Sequence, residues 1–282
     1  MSLTLPPITP APMPRAPRSI VQRLRWLISD SWNVASRDLI HWIRQPVRLF
    51  SSVMYPVVSI LIFGYVFGNA VMVVGGWNYR EFLMPGLFGQ SIVLGVGVTL
   101  VAIAEDTNRG VNNRFRTMPM SRAGYLAGRS IADLMNSTLD IVVLMLCGVA
   151  VGWTWHLGFG NVLIAFGLLM LLRVAMIWLG IYLGLIIKPE NTSVVWTVLL
   201  PLTMFSDTFV SPQMMPAWLG TISEWNPLSA TVGAIRELFG NPGWPGDSWV
   251  STHPMVMAVA WPLAIIAVFW PLSVRRYRGA PR

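Results

Sequence analysis

Apolar runs about as long as a membrane is thick constrain this chain more than any other feature. A bilayer core about 30 Å thick needs about 20 apolar residues to cross as a helix. Runs of this length include residues 82–104 and, roughly, residues 131–155. Hydrophobic residues make up 54% of the 282 residues and charged residues only 11%, whereas soluble domains carry about 25% charged residues. The chain is therefore predicted to be an all-α integral membrane protein.

The apolar runs predict six spans, and the composition around them predicts the other segments. The spans are expected at residues 49–68, 82–104, 131–155, 159–187, 194–210 and 256–274. A proline-rich start without apolar periodicity predicts a disordered cytoplasmic tail at residues 1–18. Apolar residues at helical spacing, mixed with Arg and Trp, predict an amphipathic helix at the membrane interface over residues 19–48. Residues 49–275 form the six-span domain, and residues 276–282 form a second cytoplasmic tail.

The distribution of arginine predicts the orientation of these spans. Short loops rich in Arg stay on the cytoplasmic side of a membrane. Here Arg clusters before the first span, between the second and third spans, and after the last one. On the opposite side Arg80 and Arg236 each stand beside a Glu. We expect both termini to be cytoplasmic in a multi-pass protein of the cell membrane, and we attribute the net charge of +8 to this topology rather than to nucleic-acid binding.

The predicted outer segment at residues 211–254 is rich in Trp and Pro. Two parts of it, residues 216–225 and 228–239, are partly apolar but too short to cross a bilayer. They are predicted to be re-entrant or interfacial helices near the outer surface, because non-helical backbone at that depth must face protein or water.

No motif for catalysis or metal binding is found in the sequence. A phosphate-binding loop needs Lys followed by Ser or Thr, and Lys188, the single lysine, is followed by Pro189. The histidines, His41, His156 and His253, are far apart and are predicted on different sides of the membrane. We therefore expect no metal site, no catalytic residue and no enzyme activity in this chain alone.

Charged residues inside or beside the spans are the remaining candidates, because each one is costly at mid-span. One hypothesis pairs Arg173 with Asp207, or places Arg173 on a polar path between subunits. The alternatives are a structural ion pair and an Arg173 side chain that snorkels to the surface. Glu105 and Asp106 end the second span, where the helix dipole disfavours acids. They are either offered to a cytoplasmic partner or compensated by Arg109, one turn further on.

Four stretches, in the right order, resemble the permeases of type-2 ATP-binding-cassette (ABC) exporters of the daunorubicin-resistance type. They are Arg44-Gln45-Pro46 with residues 62–68; Pro85-Gly86; residues 105–110, 118–122 and 128–129 with Asp133; and residues 205–212, 216–219, 226–229 and 234–236. The likeness covers about residues 37–275.

This resemblance implies a permease with no ATPase of its own and no cofactor. ATP and Mg²⁺ would be bound by a separate ABC ATPase subunit, and a second permease, identical or homologous, would complete the pathway. Residues 108–115 would form the coupling helix in a groove of the ATPase. The coupling residues would be Glu105, Asp106, Arg109, Gly110, Asn112, Arg114 and Phe115. Candidates for the gate or pathway are Arg173, Asp207, Trp218, Trp225, Asn226, Pro227 and Arg236.

The expected cargo is a hydrophobic drug, an antibiotic or a lipid moved outward across the cytoplasmic membrane. A polysaccharide or glycolipid exporter is the alternative within the same family. An ATP-independent channel or carrier is the alternative from another class, and the docking-like loop argues against it.

Overall fold

The structure is a computed structural model that describes residues 57–66, 77–108, 122–243 and 248–279, with Ser36 and Met54 besides. Every regular element within these ranges is helical, so the all-α prediction is confirmed for them. Residues 1–18, the interfacial helix at 19–48 (apart from Ser36) and residues 109–121 of the coupling loop lie outside the described residues.

Four of the described helices are long and apolar enough to cross a membrane. Helix α1 (Val57–Val66) is shorter, and its last turn, Ile62–Val66, is a π-helix. The four long helices are α2 (Tyr79–Asn108), α3 (Arg122–Ala150), α4 (Phe159–Gly184) and α9 (Pro254–Gly279). At about 1.5 Å per residue they exceed the roughly 30 Å of a bilayer core. They confirm the second, third, fourth and sixth predicted spans as helices.

The fifth predicted span is shorter than its apolar run. Helix α5 (Thr192–Met204) has 13 residues, although the run continues to Val210. Beyond Met204 the hydroxyl of Ser206 donates to the carbonyl of Thr203 (2.6 Å) and lies 2.8 Å from the hydroxyl of Thr208. Such local side-chain bonds compete with helical ones. Hydrophobicity alone therefore overestimates the length of this helix.

Helix α4 is at the centre of the bundle, where it packs against α2 and α9 more extensively than against the other helices. Small residues allow the close approach to α2. A Cβ at Gly184 would lie 2.7 Å from the carbonyl oxygen of Leu100, and one at Gly180 would lie 3.0 Å from that of Val96. Tight contact of this kind is how membrane helices associate, since lipid provides little hydrophobic drive between them.

Three short helices follow α5: α6 (Ala217–Glu224), α7 (Pro227–Phe239) and α8 (Trp249–Thr252). Asn226 caps α7, since its side-chain oxygen accepts from the Leu228 amide (2.9 Å) and Pro227 occupies the first turn. Gly240 ends the helix in the left-handed conformation (φ 70°), which glycine adopts without strain. Helices are thus present at both predicted outer segments, while their depth in a membrane stays a prediction.

The α3–α4 loop and the short helices lie at the end of the bundle where α2 begins, which we call the outer end after the predicted topology. The indole of Trp153, which is fully buried, donates to the Asn241 side chain (2.9 Å). The Asn241 amide group in turn donates to the Thr154 carbonyl (3.0 Å). The rings of Phe88 and Phe239 meet the Trp153 ring edge to face at 5.1 Å. This packing fixes the outer end of α3.

Candidate functional site

Arg236, on α7, joins three parts of the outer end. Its guanidinium is 1% exposed and donates to the Asp207 carboxylate (2.8 Å) and the Asp207 carbonyl (3.0 Å). It also donates twice to the carbonyl of Phe82 on α2, at 3.0 and 3.2 Å, and lies 3.8 Å over the Phe82 ring. We call this arrangement the Arg236 joint.

The segment that carries Asp207 lies directly on α2. A Cβ at Gly86 would lie 2.9 Å from the backbone of Thr208. The Tyr79 hydroxyl donates to the Phe209 carbonyl (3.1 Å), and the Asp207 amide donates to the Ser229 hydroxyl (3.0 Å). A buried charge pair needs further hydrogen bonds to offset its loss of hydration. Backbone carbonyls supply them for Arg236, whereas one carboxylate oxygen of Asp207 has no hydrogen-bond partner among the described residues. Because its bonds join three segments, the joint holds these segments in position.

A second cluster of charge lies near the middle of α4, where it meets the inner halves of α2 and α3. Arg173 of α4 is 3% exposed and donates to the Thr99 hydroxyl (3.2 Å), which lies 2.7 Å from an Asp133 carboxylate oxygen. Arg129 contacts the other carboxylate oxygen of Asp133 at 3.3 Å. Arg173 fits because Gly95 has no side chain, since a Cβ there would overlap Nη1 of Arg173. We call these residues the Arg173 cluster.

The hypothesis that Arg173 pairs with Asp207 is wrong. Asp207 pairs with Arg236 at the outer end, whereas Arg173 lies near the middle of α4, where Asp133 and Asp140 of α3 attract it. The apolar run places Asp207 inside a span, where Arg173 is the nearest intramembrane cation. The chain instead leaves α5 at Met204 and folds back onto α2 and α7.

The other gate candidates occupy different positions. Trp218 and Trp225 are exposed, at 66% and 54% of their surfaces, on or just after α6. Asn226 caps α7 and also donates to the Leu202 carbonyl (3.2 Å), which ties α7 to α5. Pro227 starts α7. The structure therefore brings Asp207 and Arg236 together and leaves both tryptophans on the surface.

Two coupling candidates are described, at the opposite end of the bundle. Glu105 and Asp106 are half-buried in the last turn of α2, and each makes an interaction within the protein. The remaining candidates, Arg109, Gly110, Asn112, Arg114 and Phe115, lie outside the described residues.

Sequence reasoning missed Thr99, Phe82, Trp153 and Asn241. The Arg129–Asp133 pair was detectable, because residues four apart share a helix face. Neither the hydroxyl of Thr99 nor the carbonyl of Phe82 leaves a comparable signal, since both partners arrive from distant segments. Across the described ranges no group of three or more His, Cys, Asp or Glu could hold a metal ion.

The bundle and its buried charges define a helical membrane protein in which polar groups join helices near one end and halfway along. The chain belongs to the ABC-2 type transporter family, whose model matches residues 31–239. It is therefore the permease of an ABC transporter.

Named relatives agree with this family. The chain is 32% identical over 236 residues to the daunorubicin resistance ABC transporter permease protein DrrB1 of Streptomyces coeruleorubidus, covering 83% of this chain and 81% of that protein. It is 28% identical over 225 residues to a protein of Cyanophora paradoxa named as transport permease ycf38, covering 78% and 77%. It is 19% identical over 249 residues to a protein of Mycobacterium tuberculosis named as doxorubicin resistance ABC transporter permease DrrC, covering 86% of each.

Proposed function

We propose that this permease moves an amphipathic drug or a lipid outward across the cell membrane. The observation that carries the proposal is the 32% identity to a daunorubicin resistance permease over more than four-fifths of each chain. A second relative is named for doxorubicin resistance. The exposed apolar side chains along α3, α5 and α9 suit a protein that works in contact with lipid.

The energy for this transport would come from a separate ABC ATPase subunit that binds ATP and Mg²⁺. A phosphate-binding loop needs a lysine followed by Ser or Thr, and the single lysine of this chain is followed by proline. This supports ATP binding by a separate subunit. Two permeases, identical or homologous, would enclose the pathway, and two ATPase subunits would drive it.

The coupling surface would be the loop between α2 and α3, at Glu105, Asp106, Arg109, Gly110, Asn112, Arg114 and Phe115. Its Arg content supports a cytoplasmic position, and the family resemblance supports contact with the ATPase. The same topology gives six spans, cytoplasmic termini, an interfacial helix at residues 19–48 and outer helices α6 and α7 that dip into the membrane. In this arrangement the Arg236 joint braces the outer gate.

Reconstitution with its partner tests the proposal. The permease is co-expressed with a candidate ABC ATPase subunit, and the purified complex is placed in proteoliposomes. ATP turnover and ATP-dependent movement of daunorubicin are then measured. We expect daunorubicin to stimulate turnover and to move in one direction. An ATPase variant without its catalytic glutamate is the matched control.

The alternative cargo is distinguished in the same assay. Stimulation of ATP turnover by a glycolipid, with no response to daunorubicin or to ordinary phospholipids, would show that the cargo carries a glycan. The drug or lipid assignment would then be wrong. Transport at full rate without any ATPase would contradict the proposal altogether.

A further inference from the structure

The Arg173 guanidinium is buried with hydrogen-bonding capacity to spare. One of its N–H groups donates to Thr99, but Nε and Nη1 have no hydrogen-bond partner among the described residues. A buried donor without a partner is costly, and a partly satisfied polar network in a core is less stable than a complete one. Membrane interiors have no bulk water to compensate. A second arrangement, in which these donors find acceptors, would remove this cost.

Helix α3 carries further acceptors close to the Arg173 guanidinium, which itself bonds to Thr99 on α2. Asp133, Asn136 and Asp140 are spaced by three and four residues, which places them on one face of the helix. Asp133 and Asp140 both attract Arg173 electrostatically, and Arg129 opposes them. Asn136 lies between the two acids, and its side-chain oxygen is buried without a hydrogen-bond partner in the described part of the chain. The unused donors of Arg173 thus face a helix that carries an unused acceptor.

Helix α3 has contacts at both ends. Its outer end is followed by Trp153 and its hydrogen-bonded contacts, and Leu126 near its inner end is buried. Between these ends α3 is less buried than α2, since 33% of its apolar stretch lies inside the protein, against 72% for α2. A displacement of α3 relative to its neighbours would move its acceptors past Arg173.

We propose that Arg173 is a positioning residue that changes acceptors during transport, from Thr99 on α2 in this state to Asn136 and Asp140 on α3 in the next. This inference rests on the proposed function, because the displacement comes from the ATPase. A bistable contact of this kind converts a small shift at one site into a discrete change of helix position. The two positive charges (Arg129 and Arg173) and the two negative charges (Asp133 and Asp140) stay close together in both states. The exchange therefore leaves no buried charge without an opposite charge nearby.

The first test replaces the acceptor that the present state does not use. In proteoliposomes with the ATPase, Asn136→Leu is expected to lower daunorubicin transported per ATP by about 3- to 10-fold, the range typical of residues that couple two sites. Its thermal unfolding midpoint should be unchanged or higher, since no hydrogen bond is lost. Leu139→Ala, on the neighbouring exposed face of α3, is the matched control and should transport normally. Arg173→Lys should keep part of the coupling that Arg173→Met loses.

Transport per ATP equal to the wild type in Asn136→Leu would overturn the inference, because a static bond from Arg173 to Thr99 does not need Asn136. A fall in coupling that only follows a fall in unfolding midpoint would overturn it as well.

A second measurement needs no cargo. Spin labels report the distance between α3 and α4 when they are attached at Ile131→Cys and Ile186→Cys in a Cys147→Ala background. Both isoleucines are exposed, near the inner ends of these helices. We expect this distance to change by several ångströms, up to about 5 Å or one helical turn, when ATP is trapped on the ATPase. An unchanged distance in a complex that hydrolyses ATP would overturn the inference and leave the proposed function standing. A permease that neither binds nor stimulates any ATPase would overturn both.

Discussion

At the scale of single residues, the charges of this membrane protein serve mainly to hold segments in place. Arg236 is 1% exposed and bonds to Asp207 and to a carbonyl of α2. Arg80, at the start of α2, donates to the Gly64 and Val151 carbonyls (3.2 and 3.3 Å), while the neighbouring Glu81 lies 2.8 Å from His156. Each of these charges meets a partner from a distant part of the chain, because the membrane makes an unmet charge costly.

The Arg236 joint predicts a large loss of stability on substitution. Arg236→Met leaves Asp207 buried without its cation, and breaking one side of a buried pair costs about 3–5 kcal/mol. We expect a strongly lowered thermal unfolding midpoint in detergent, with partial recovery when Asp207→Leu is added. Arg276→Met, at an exposed position on α9, should unfold within a few degrees of the wild type. Equal midpoints for the Arg236 and Arg276 variants would contradict the structural role of the joint.

The burial of Trp153 predicts that truncating its side chain lowers the stability of the protein. Its side chain is fully buried, and truncating a large buried aromatic residue to alanine costs about 3–5 kcal/mol. Trp153→Ala should therefore lower the unfolding midpoint and reduce the yield of folded permease, as judged by fluorescence-detected size-exclusion chromatography. Trp218→Ala removes a mostly exposed ring and is the matched control. If both variants behaved alike, the loop at Trp153 would not anchor α3.

At the scale of elements, length and apolarity identify four spanning helices, while hydrogen bonds and glycines decide how they end and meet. Residues 194–210 contain a single charge, so the sequence predicts one helix through the whole run. The chain leaves that helix, α5, before the run ends because Ser206 and Thr208 bond locally. Helix α7 was predictable, since Asn226-Pro227 and Gly240 are strong start and stop signals.

The packing of α4 on α2 predicts opposite results at two glycines of the same helix. A Cβ at Gly184 would lie 2.7 Å from the Leu100 carbonyl, whereas one at Gly167 would meet no atom within 4 Å. Gly184→Ala should destabilise the protein by about 1–3 kcal/mol through overpacking. Gly167→Ala should be neutral or stabilise it by up to about 1 kcal/mol, because alanine favours the helix. Thermal unfolding of both variants decides the matter, and a stabilising Gly184→Ala would show that the two helices are not in contact.

At the scale of the whole molecule, the permease joins two regions of different character. The outer end is cross-linked by the Arg236 joint and by Trp153. The inner end carries the loop between α2 and α3, whose flanking acids Glu105 and Asp106 are half-buried. The Arg173 cluster lies between the two. This arrangement agrees with the proposed function, in which the ATPase acts on the inner end and the outer gate opens.

If the loop couples the permease to the ATPase as proposed, one variant should hydrolyse ATP without transporting cargo. Gly110→Pro removes a backbone N–H and fixes the backbone angle φ, so the loop should no longer fit the proposed groove of the ATPase. We expect the complex to keep hydrolysing ATP while daunorubicin transport falls to background, measured in the same proteoliposomes. Gly110→Ala is the conservative control and should retain most of the coupling. Unchanged transport per ATP in the proline variant would remove the loop from the coupling mechanism.

The sequence by itself determined that this chain is a helical membrane protein, where its main spans lie and which family it resembles. These properties depend on apolar length, on Arg distribution and on short motifs, all of which are local along the chain. Only the tertiary structure decided that Asp207 pairs with Arg236, that Arg173 bonds to Thr99, and that Thr99 bonds to Asp133. Charge pairing in a membrane depends on which segments meet at the same depth, and that depends on where helices end and which glycines admit a neighbour.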